Sequence, residues 1–586
     1  MRVMKLVLPL CLSMLAACGG QQGGSGAPAD DTTLDFSSQD AIPAADMVFW
    51  GGPIYTANDA QPQVQAVATQ AGRIVFAGPQ AGANVWVGPD TRIVDLNGAA
   101  MYPGFTDSHV HILGVGTRER TLNLDDVTSI PDLQARISAA AEELEPGDAL
   151  YGRGWIETHW PDGRFPDRHD LDAAVADHIV VLTRADGHAA VVNSLALEQA
   201  GITADSVAPD GGEILREDDG EPSGMLIDAA QGAAYALLEL PEGDLRADIY
   251  ADGAAVMASM GWTGGHDMSV PYSDVAMIEA LAEAGRLPIR DYISVNPDGY
   301  AQVAAETPRI AANGRVITRA IKMYMDGALG SRGAALLEPY SDRPESSGLL
   351  FPEGDEMVGV MAEALRSGVQ VNVHAIGDRG NRQLLDWVEE ALAAVPPEER
   401  ALPEHRWRDE HSQIINPADI PRFAELGVIA SMQPSHAIGD LYFAPDRLGE
   451  ERLDGAYAWQ SLLDAGAHLA GGSDAPVEKG DPRIEFYAAT ARASLGGFQG
   501  DDWHADEALS RADALKLFTA WPAYASFRED ELGTIEEGKI ADFTIFSGDI
   551  MTIPEAEILT VEPWMTVVDG AVTYEAPDAF QRSAED

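Results

Sequence analysis

The sequence predicts an α/β fold: a (β/α)8 barrel with a long insertion after its first strand, joined to a small composite β-sandwich built from N- and C-terminal segments. Three observations predict it. Eight apolar, strand-like runs each end in polar, chemically competent residues, helical stretches such as Met357 to Ser367 and Gln383 to Ala394 alternate with them, and β-rich segments stand at both ends of the chain. With 586 residues, 46% of them hydrophobic, the chain is long enough to bury such a core.

Taken in order, the chain begins with Arg2 and Lys5 ahead of Leu6 to Ala17, an apolar run shorter than the roughly 20 residues a membrane span needs and shaped like a signal-peptide core. It ends in Leu15-Ala16-Ala17-Cys18, which resembles a bacterial lipobox, so residues 1–17 are expected to be removed and Cys18 lipidated. Cys11 and Cys18 are the two cysteines, so the mature chain would keep no free thiol, disulfide or thiolate metal site. Residues 18–43, rich in Gly, Ala, Asp, Ser and Thr, form a flexible tether. Gly19 after the lipidated cysteine resembles the sorting pattern of outer-membrane lipoproteins facing the periplasm, which makes a lipid anchor the expected link to the membrane.

Residues 44–100 read as short strands, among them Met47 to Trp50, Ile54 to Thr56, Ala66 to Thr69 and Arg73 to Ala77. Residues 530–578 return to the same style in Asp542 to Phe546, Trp564 to Val568 and, after an Asp569-Gly570 turn, Ala571 to Tyr574. The barrel occupies 101–529. Its eight runs are Tyr102 to His111, Trp262 to Asp267, Ile289 to Val295, Ile317 to Asp326, Gln370 to His374, Arg406 to His411, Val428 to Gln433 and His468 to Asp474, with an insertion over about 117–240. Gly533 to Ile540 has phosphate-loop spacing, but Ile540 replaces the hydroxyl residue that binds magnesium and a strand follows, so it is a turn.

Charge narrows the function. Lys and Arg number 38 against 94 Asp and Glu, a net charge of −56 spread along the chain, and such a surface repels phosphate backbones and anionic lipid. Nucleic acid is therefore not an expected partner; a small molecule is. His109 and His111 lie two apart at the end of the first run, and residues i and i+2 of a strand face the same side, so both imidazoles can meet one metal in a barrel mouth. His374, His411 and Asp474 end later runs, where barrel active sites are built. Tyr324, two residues after Lys322, shares its face, and Gln433 and His436 end the seventh run and line a pocket.

These motifs, Gly104-Phe105-Thr106-Asp107-Ser108-His109-Val110-His111, Lys322-Met323-Tyr324-Met325-Asp326-Gly327, Val371-Asn372-Val373-His374, Asp409-Glu410-His411-Ser412 and Gly471-Gly472-Ser473-Asp474, resemble the amidohydrolase superfamily, in particular amidohydrolase family 3, over residues 46 to 574. The resemblance implies that His109 and His111 bind one divalent metal and His374 and His411 a second. It implies that Lys322, carboxylated by carbon dioxide, bridges them, and that Asp474 is the catalytic aspartate. His188, in Arg184-Ala185-Asp186-Gly187-His188, matches a motif that faces substrate. The ligand set suits one or two zinc ions, with manganese, iron or cobalt also compatible. The implied reaction is hydrolysis of a carbon–nitrogen bond in an amide, formamide, carbamate or cyclic amide, by a hydroxide held on the metals with Asp474 as general base and then acid. Two readings compete: the same site opening an ester, lactone or organophosphate, and a surface lipoprotein that binds metal or solute without catalysis.

Overall fold

The eight runs form eight parallel strands in sequence order around a nearly closed barrel. They are Phe105–Val110, Trp262–Val270, Arg290–Val295, Val316–Tyr324, Gln370–Ala375, Arg408–His411, Ile429–Met432 and Leu469–Gly471. The computed structural model describes residues 43–580, except 143, 145–147, 162, 210, 239–240, 352–353 and 501–502. The expected signal peptide, Cys18 and nearly all of the tether lie outside the described residues. Among the described residues, no helix is long and apolar enough to cross a membrane.

The barrel is sealed by side chain and backbone where the first and eighth strands meet. Asp107 accepts from Ser473 through both its backbone N–H, at 2.9 Å, and its hydroxyl, at 2.5 Å. Asp474 N donates to His109 O at 2.7 Å and His111 N to Ala475 O at 2.8 Å. This approach is too close for a side chain at Gly472, whose added Cβ would stand 2.4 Å from the backbone nitrogen of His109. The Gly471-Gly472 pair thus lets the last strand bring Asp474 against the two histidines of the first.

The expected first strand, Tyr102 to His111, divides in the structure. Ala100–Pro103 belongs to the sandwich sheet, where it pairs antiparallel with Phe543–Phe546, and only Phe105–Val110 enters the barrel. The switch falls at Gly104, where a Cβ would meet Thr263 Oγ1 at 2.3 Å and Asp542 Cβ at 2.9 Å. The residues flanking the switch, Met101, Tyr102 and Phe105, are all apolar and buried, so the run gives no sign of the division.

Both chain ends build one eight-stranded sheet. Its strand Met47–Tyr55 shifts register between Trp50 and Ile54; the earlier half pairs with Arg92–Asp95 and Ile54 with Met101. The bent sheet wraps a core that mixes the two ends: Phe49, Ile54, Val67 and Met101 pack with Phe543, Ile545, Met565 and Val567.

Between the first and second barrel strands, a separate six-stranded sheet runs in the order Gly212–Arg216, Pro222–Asp228, Ala189–Val192, Ile179–Arg184, Ala149–Trp155 and Leu122–Asn123. It has its own core, including Leu133, Ile137, Trp155, Leu171, Val180 and Leu182. The helices flanking it, Ile112–Arg120 and Gly243–Met260, pack closely because Gly116 and Gly253 carry no side chain: a Cβ on either would lie within 2.2 Å of a carbonyl oxygen of the other helix. The insertion is thereby anchored at the barrel mouth.

Gly472→Ala is expected to lower stability by about 1–3 kcal/mol, the usual cost of forcing an extra carbon into a packed interior. Chemical denaturation of the two proteins measures this, and Gly496→Ala, whose added Cβ meets only Ser494 Oγ at 3.9 Å, serves as the control.

Candidate active site

His109 is the penultimate residue of strand one, with His111 just beyond its end, and their ring centroids are 5.6 Å apart. Each ring is fixed from behind. His109 Nδ1 donates to Glu410 Oε2 at 2.7 Å and His111 Nδ1 to the Met268 carbonyl at 3.0 Å. Those bonds place the proton on Nδ1 and leave each Nε2 with its lone pair facing the mouth. The two Nε2 atoms lie 3.5 and 3.1 Å from Asp474 Oδ1. His411 follows the same plan, with Nδ1 donating to Gln433 Oε1 at 2.8 Å.

The sixth and eighth strand ends break from extended geometry to aim these groups. His411 has φ 84° and Asp474 φ 59°, both in the left-handed region that non-glycine residues avoid. His411 then sits with its ring centroid 4.7 Å from that of His109 and 4.5 Å from that of His374. His374, on strand five, lines the same cavity, with Nε2 3.7 Å from Asp326 Oδ1. His436 completes the ring of imidazoles, its Nε2 3.8 Å from Asp474 Oδ2 and its Nδ1 3.0 Å from Gln413 Nε2. Lys322 points in from strand four, Nζ 3.3 Å from His109 Nε2 and 5.6 Å from the centre of the Tyr324 ring.

Burial sets the charge states. It pushes the His109, His374 and His411 imidazoles well down, aided by the Lys322 charge, so all three are neutral near pH 7. Burial also drops the Lys322 ammonium to about 8, against the pull of Glu410 and Asp474. Burial raises the Asp474 carboxyl, but positive charge on the facing His109, His111 and His436 imidazoles outweighs that and favours its ionised form.

This donor set fits a divalent metal. One potential ligand atom from each of His109, His111 and Asp474, and likewise of His411, His436 and Asp474, lie within 4.8 Å of one another. His374 Nε2, His436 Nε2 and Asp474 Oδ1 are buried without a hydrogen-bond partner, as ligand atoms are when their bond is to a cation. Neutral imidazoles beside one ionised carboxylate are what such an ion requires.

The cavity around these groups has a volume of about 360 Å³. The barrel supplies one wall and the insertion the other, through Arg153, Arg184, Asp186 and His188. His188 Nδ1 bonds Asp228 Oδ1 at 2.6 Å; burial lowers its imidazole, but Asp228 and Asp186 together raise it on balance. Tyr324 lines the cavity, 39% exposed, and shares a hydroxyl hydrogen bond with Ser269. Gln433 departs from expectation: it is 2% exposed and lies behind His411, so it orients that ring and does not line the pocket. Cys18 lies outside the described residues.

Three supporting residues have no role predicted from the sequence, although Glu410 stands inside the Asp409-Glu410-His411-Ser412 motif. Glu410 and Arg408 form a fully buried pair, Arg408 Nε to Glu410 Oε1 at 2.7 Å, and Glu410 holds His109. Their i, i+2 spacing on one strand face is the signal that could have found them. Asp228, which fixes His188, comes from a remote strand of the insertion and carries no local signal.

A parallel barrel with imidazoles and a carboxylate gathered at its strand ends is the architecture of a metal-dependent hydrolase. The chain belongs to the amidohydrolase family, which it matches over residues 92–574. It is 33% identical to YtcJ of Bacillus subtilis over 539 residues, covering 90% of this chain and 99% of that one. It is 25% identical to the N-substituted formamide deformylase of Arthrobacter pascens over 548 residues, 90% of this chain and 98% of that one. Among solved structures, a metal-dependent hydrolase from Pyrococcus horikoshii superposes with a TM-score of 0.70 at 26% identity, covering 87% of this chain and 99% of that one.

Glu410→Ala would leave the Arg408 guanidinium buried without its counter-charge, and an expected loss of about 3–5 kcal/mol follows from the cost of an orphaned buried ion. Urea denaturation against the wild type measures it; the paired Arg408→Met, Glu410→Leu replacement should recover most of that loss.

Proposed function

We propose that the protein is a metal-dependent hydrolase of a carbon–nitrogen bond in an amide, formamide, carbamate or cyclic amide. The observation that carries this reading is the Asp474 carboxylate held 3.1 and 3.5 Å from the Nε2 atoms of His111 and His109 at the mouth of the barrel. His109, His111, His374, His411 and Lys322 would hold one or two divalent ions, and zinc suits the imidazole ligands. A divalent ion bound there supplies Lewis acidity, acidifying water and polarising a carbonyl.

The chain's own groups do the rest. Asp474, ionised, accepts a proton from the attacking water as the new carbon–oxygen bond forms, then delivers it to the nitrogen as the carbon–nitrogen bond breaks. Without that proton an amide anion would have to leave. His188, steadied by Asp228 and raised by its charge, can in its protonated form donate from Nε2 to the carbonyl oxygen as negative charge grows on it. Lys322 is 1% exposed and, among the described residues, has no carboxylate within 4.0 Å, which fits a lysine that gains its negative charge by carboxylation better than one held in an ion pair. In that step the Nζ lone pair bonds the carbon of carbon dioxide and a proton passes to solvent.

The test pairs metal analysis of protein purified without chelator with turnover of a mixed N-formyl, N-acyl and ester panel in which amine, ammonia and acid release are followed separately. Amine release dependent on bound metal is the expected result; ester turnover with no amide turnover overturns it. Asp474→Asn should lower kcat by about 10²- to 10⁴-fold, the range of a lost general acid–base. Native mass spectrometry should find one carbon dioxide added at Lys322, and its absence at saturating metal and bicarbonate removes the carbamate.

A further inference from the structure

Three cationic side chains line the cavity, and they are not equivalent. Lys322 lies among the imidazoles. Arg184 is held by two carboxylates: its Nε donates to Glu157 Oε2 at 2.8 Å and its Nη1 to Asp186. Arg153, on the insertion strand Ala149–Trp155, has no carboxylate within 4.0 Å among the described residues. Among the described residues its side chain makes one hydrogen bond, from Nη2 to the Ala185 carbonyl at 3.0 Å, and its Nε–H is buried without an acceptor. Gly187 makes room for it, since a Cβ there would stand 3.3 Å from Arg153 Nη2.

An arginine in this state is costly to keep. A guanidinium that is partly desolvated, with a donor left unmet, loses free energy unless a partner arrives, and its planar fork matches a carboxylate. In a chain with 94 acidic residues, leaving this group without one is a pointed arrangement. The other acids on the cavity wall do not cancel it. Asp186 is committed to Arg184, Asp474 is turned to His109 and His111, and burial pushes the Asp440 carboxyl up to about 7 and that of Glu478 up to about 8, toward their neutral forms.

We propose that Arg153 determines specificity by pairing with an anionic group, a carboxylate, on the substrate of this site. The inference rests on the hydrolase reading above and narrows it to substrates that carry a carboxylate away from the scissile bond, such as N-acylated amino acids. The insertion then reads the carboxylate while the strand ends act on the carbonyl.

The experiment is calorimetric titration of zinc-loaded wild-type protein with phenylacetate and with phenethyl alcohol, a matched pair that differs in the anionic group and holds no hydrolysable bond. Phenylacetate should bind about 10- to 100-fold more tightly, the scale of a partly buried charge-assisted pair. Arg153→Gln should cut that preference to about twofold or less and Arg153→Lys to an intermediate value, because lysine keeps the charge and loses the fork. Zinc content and circular dichroism confirm that each variant is folded; if the glutamine variant does not fold, the lysine variant alone decides. Equal affinity for the two ligands overturns the inference, as does a preference that survives both variants, which would assign the carboxylate to the zinc. Neither ligand is a substrate, so the outcome is independent of the turnover panel. A carboxylate preference without carbon–nitrogen cleavage sinks the hydrolase reading alone, and cleavage without the preference sinks this inference alone.

Discussion

The buried pair of Arg408 and Glu410 is the interaction on which the interior of the barrel depends. From strand six, Arg408 reaches His266 Nδ1 on strand two at 2.8 Å, Ser431 Oγ on strand seven at 2.8 Å and the Ser108 carbonyl on strand one, while Glu410 takes the Nδ1 proton of His109. Four strands are tied through one ion pair with no exposed side-chain surface. Such a pair adds little net stability against an apolar core of equal volume, since desolvation consumes most of its Coulomb energy. What it provides is register and direction. It fixes the tautomer of His109 and thereby the lone pair that faces Asp474, which an apolar core could not do.

The molecule divides its work between rigid and inserted parts. Strand ends supply His109, His374, His411, Lys322 and Asp474, each constrained by a neighbour in the parallel sheet; His374, for example, is level with Tyr324 on strand four and Glu410 on strand six. The insertion supplies Arg153, Arg184, His188 and Asp228 from a sheet with a separate core. Reacting groups need placement to a fraction of an ångström, which a barrel gives, while a recognition wall can change with the inserted sheet and leave the strand ends undisturbed. The left-handed backbone at His411 and Asp474 marks where strand geometry ends and chemistry is imposed.

Much of this was legible in the sequence, for physical reasons. A buried parallel strand is a short apolar run, and the polar residue that follows it is at the C-terminal end, so eight runs and their final residues gave both the barrel and the elements carrying His109, His374, His411 and Asp474. Sequence spacing determines which strand a side chain leaves from, but not where its ring turns. Hence Gln433 was expected in the pocket and instead lies behind His411, and His436 stands closer to Asp474 than a position beyond strand seven could announce. The passage from sandwich to barrel at Gly104 was hidden because buried apolar residues flank it on both sides, Tyr102 and Phe105, and only the crowding by Thr263 and Asp542 makes that glycine a boundary. Asp228 was illegible for another reason: its pairing with His188 spans two strands of the inserted sheet, a register that one chain's periodicity does not encode.

The net charge of −56 disfavours polyanionic partners, yet it does not decide the sign of a small ligand. At physiological ionic strength the screening length is about 8 Å, so surface carboxylates farther than that from the cavity act weakly on a molecule already inside it. In the cavity the balance is local: Arg184 is matched by Glu157 and Asp186, Asp440 and Glu478 are pushed toward neutrality by burial, and Arg153 has no carboxylate within 4.0 Å among the described residues. Long-range repulsion would slow the arrival of an anion, which is an effect on the association rate that added salt relieves; the contacts in the cavity set how long it stays. An acidic surface and an anion-reading pocket are therefore compatible, because one acts on encounter and the other on residence.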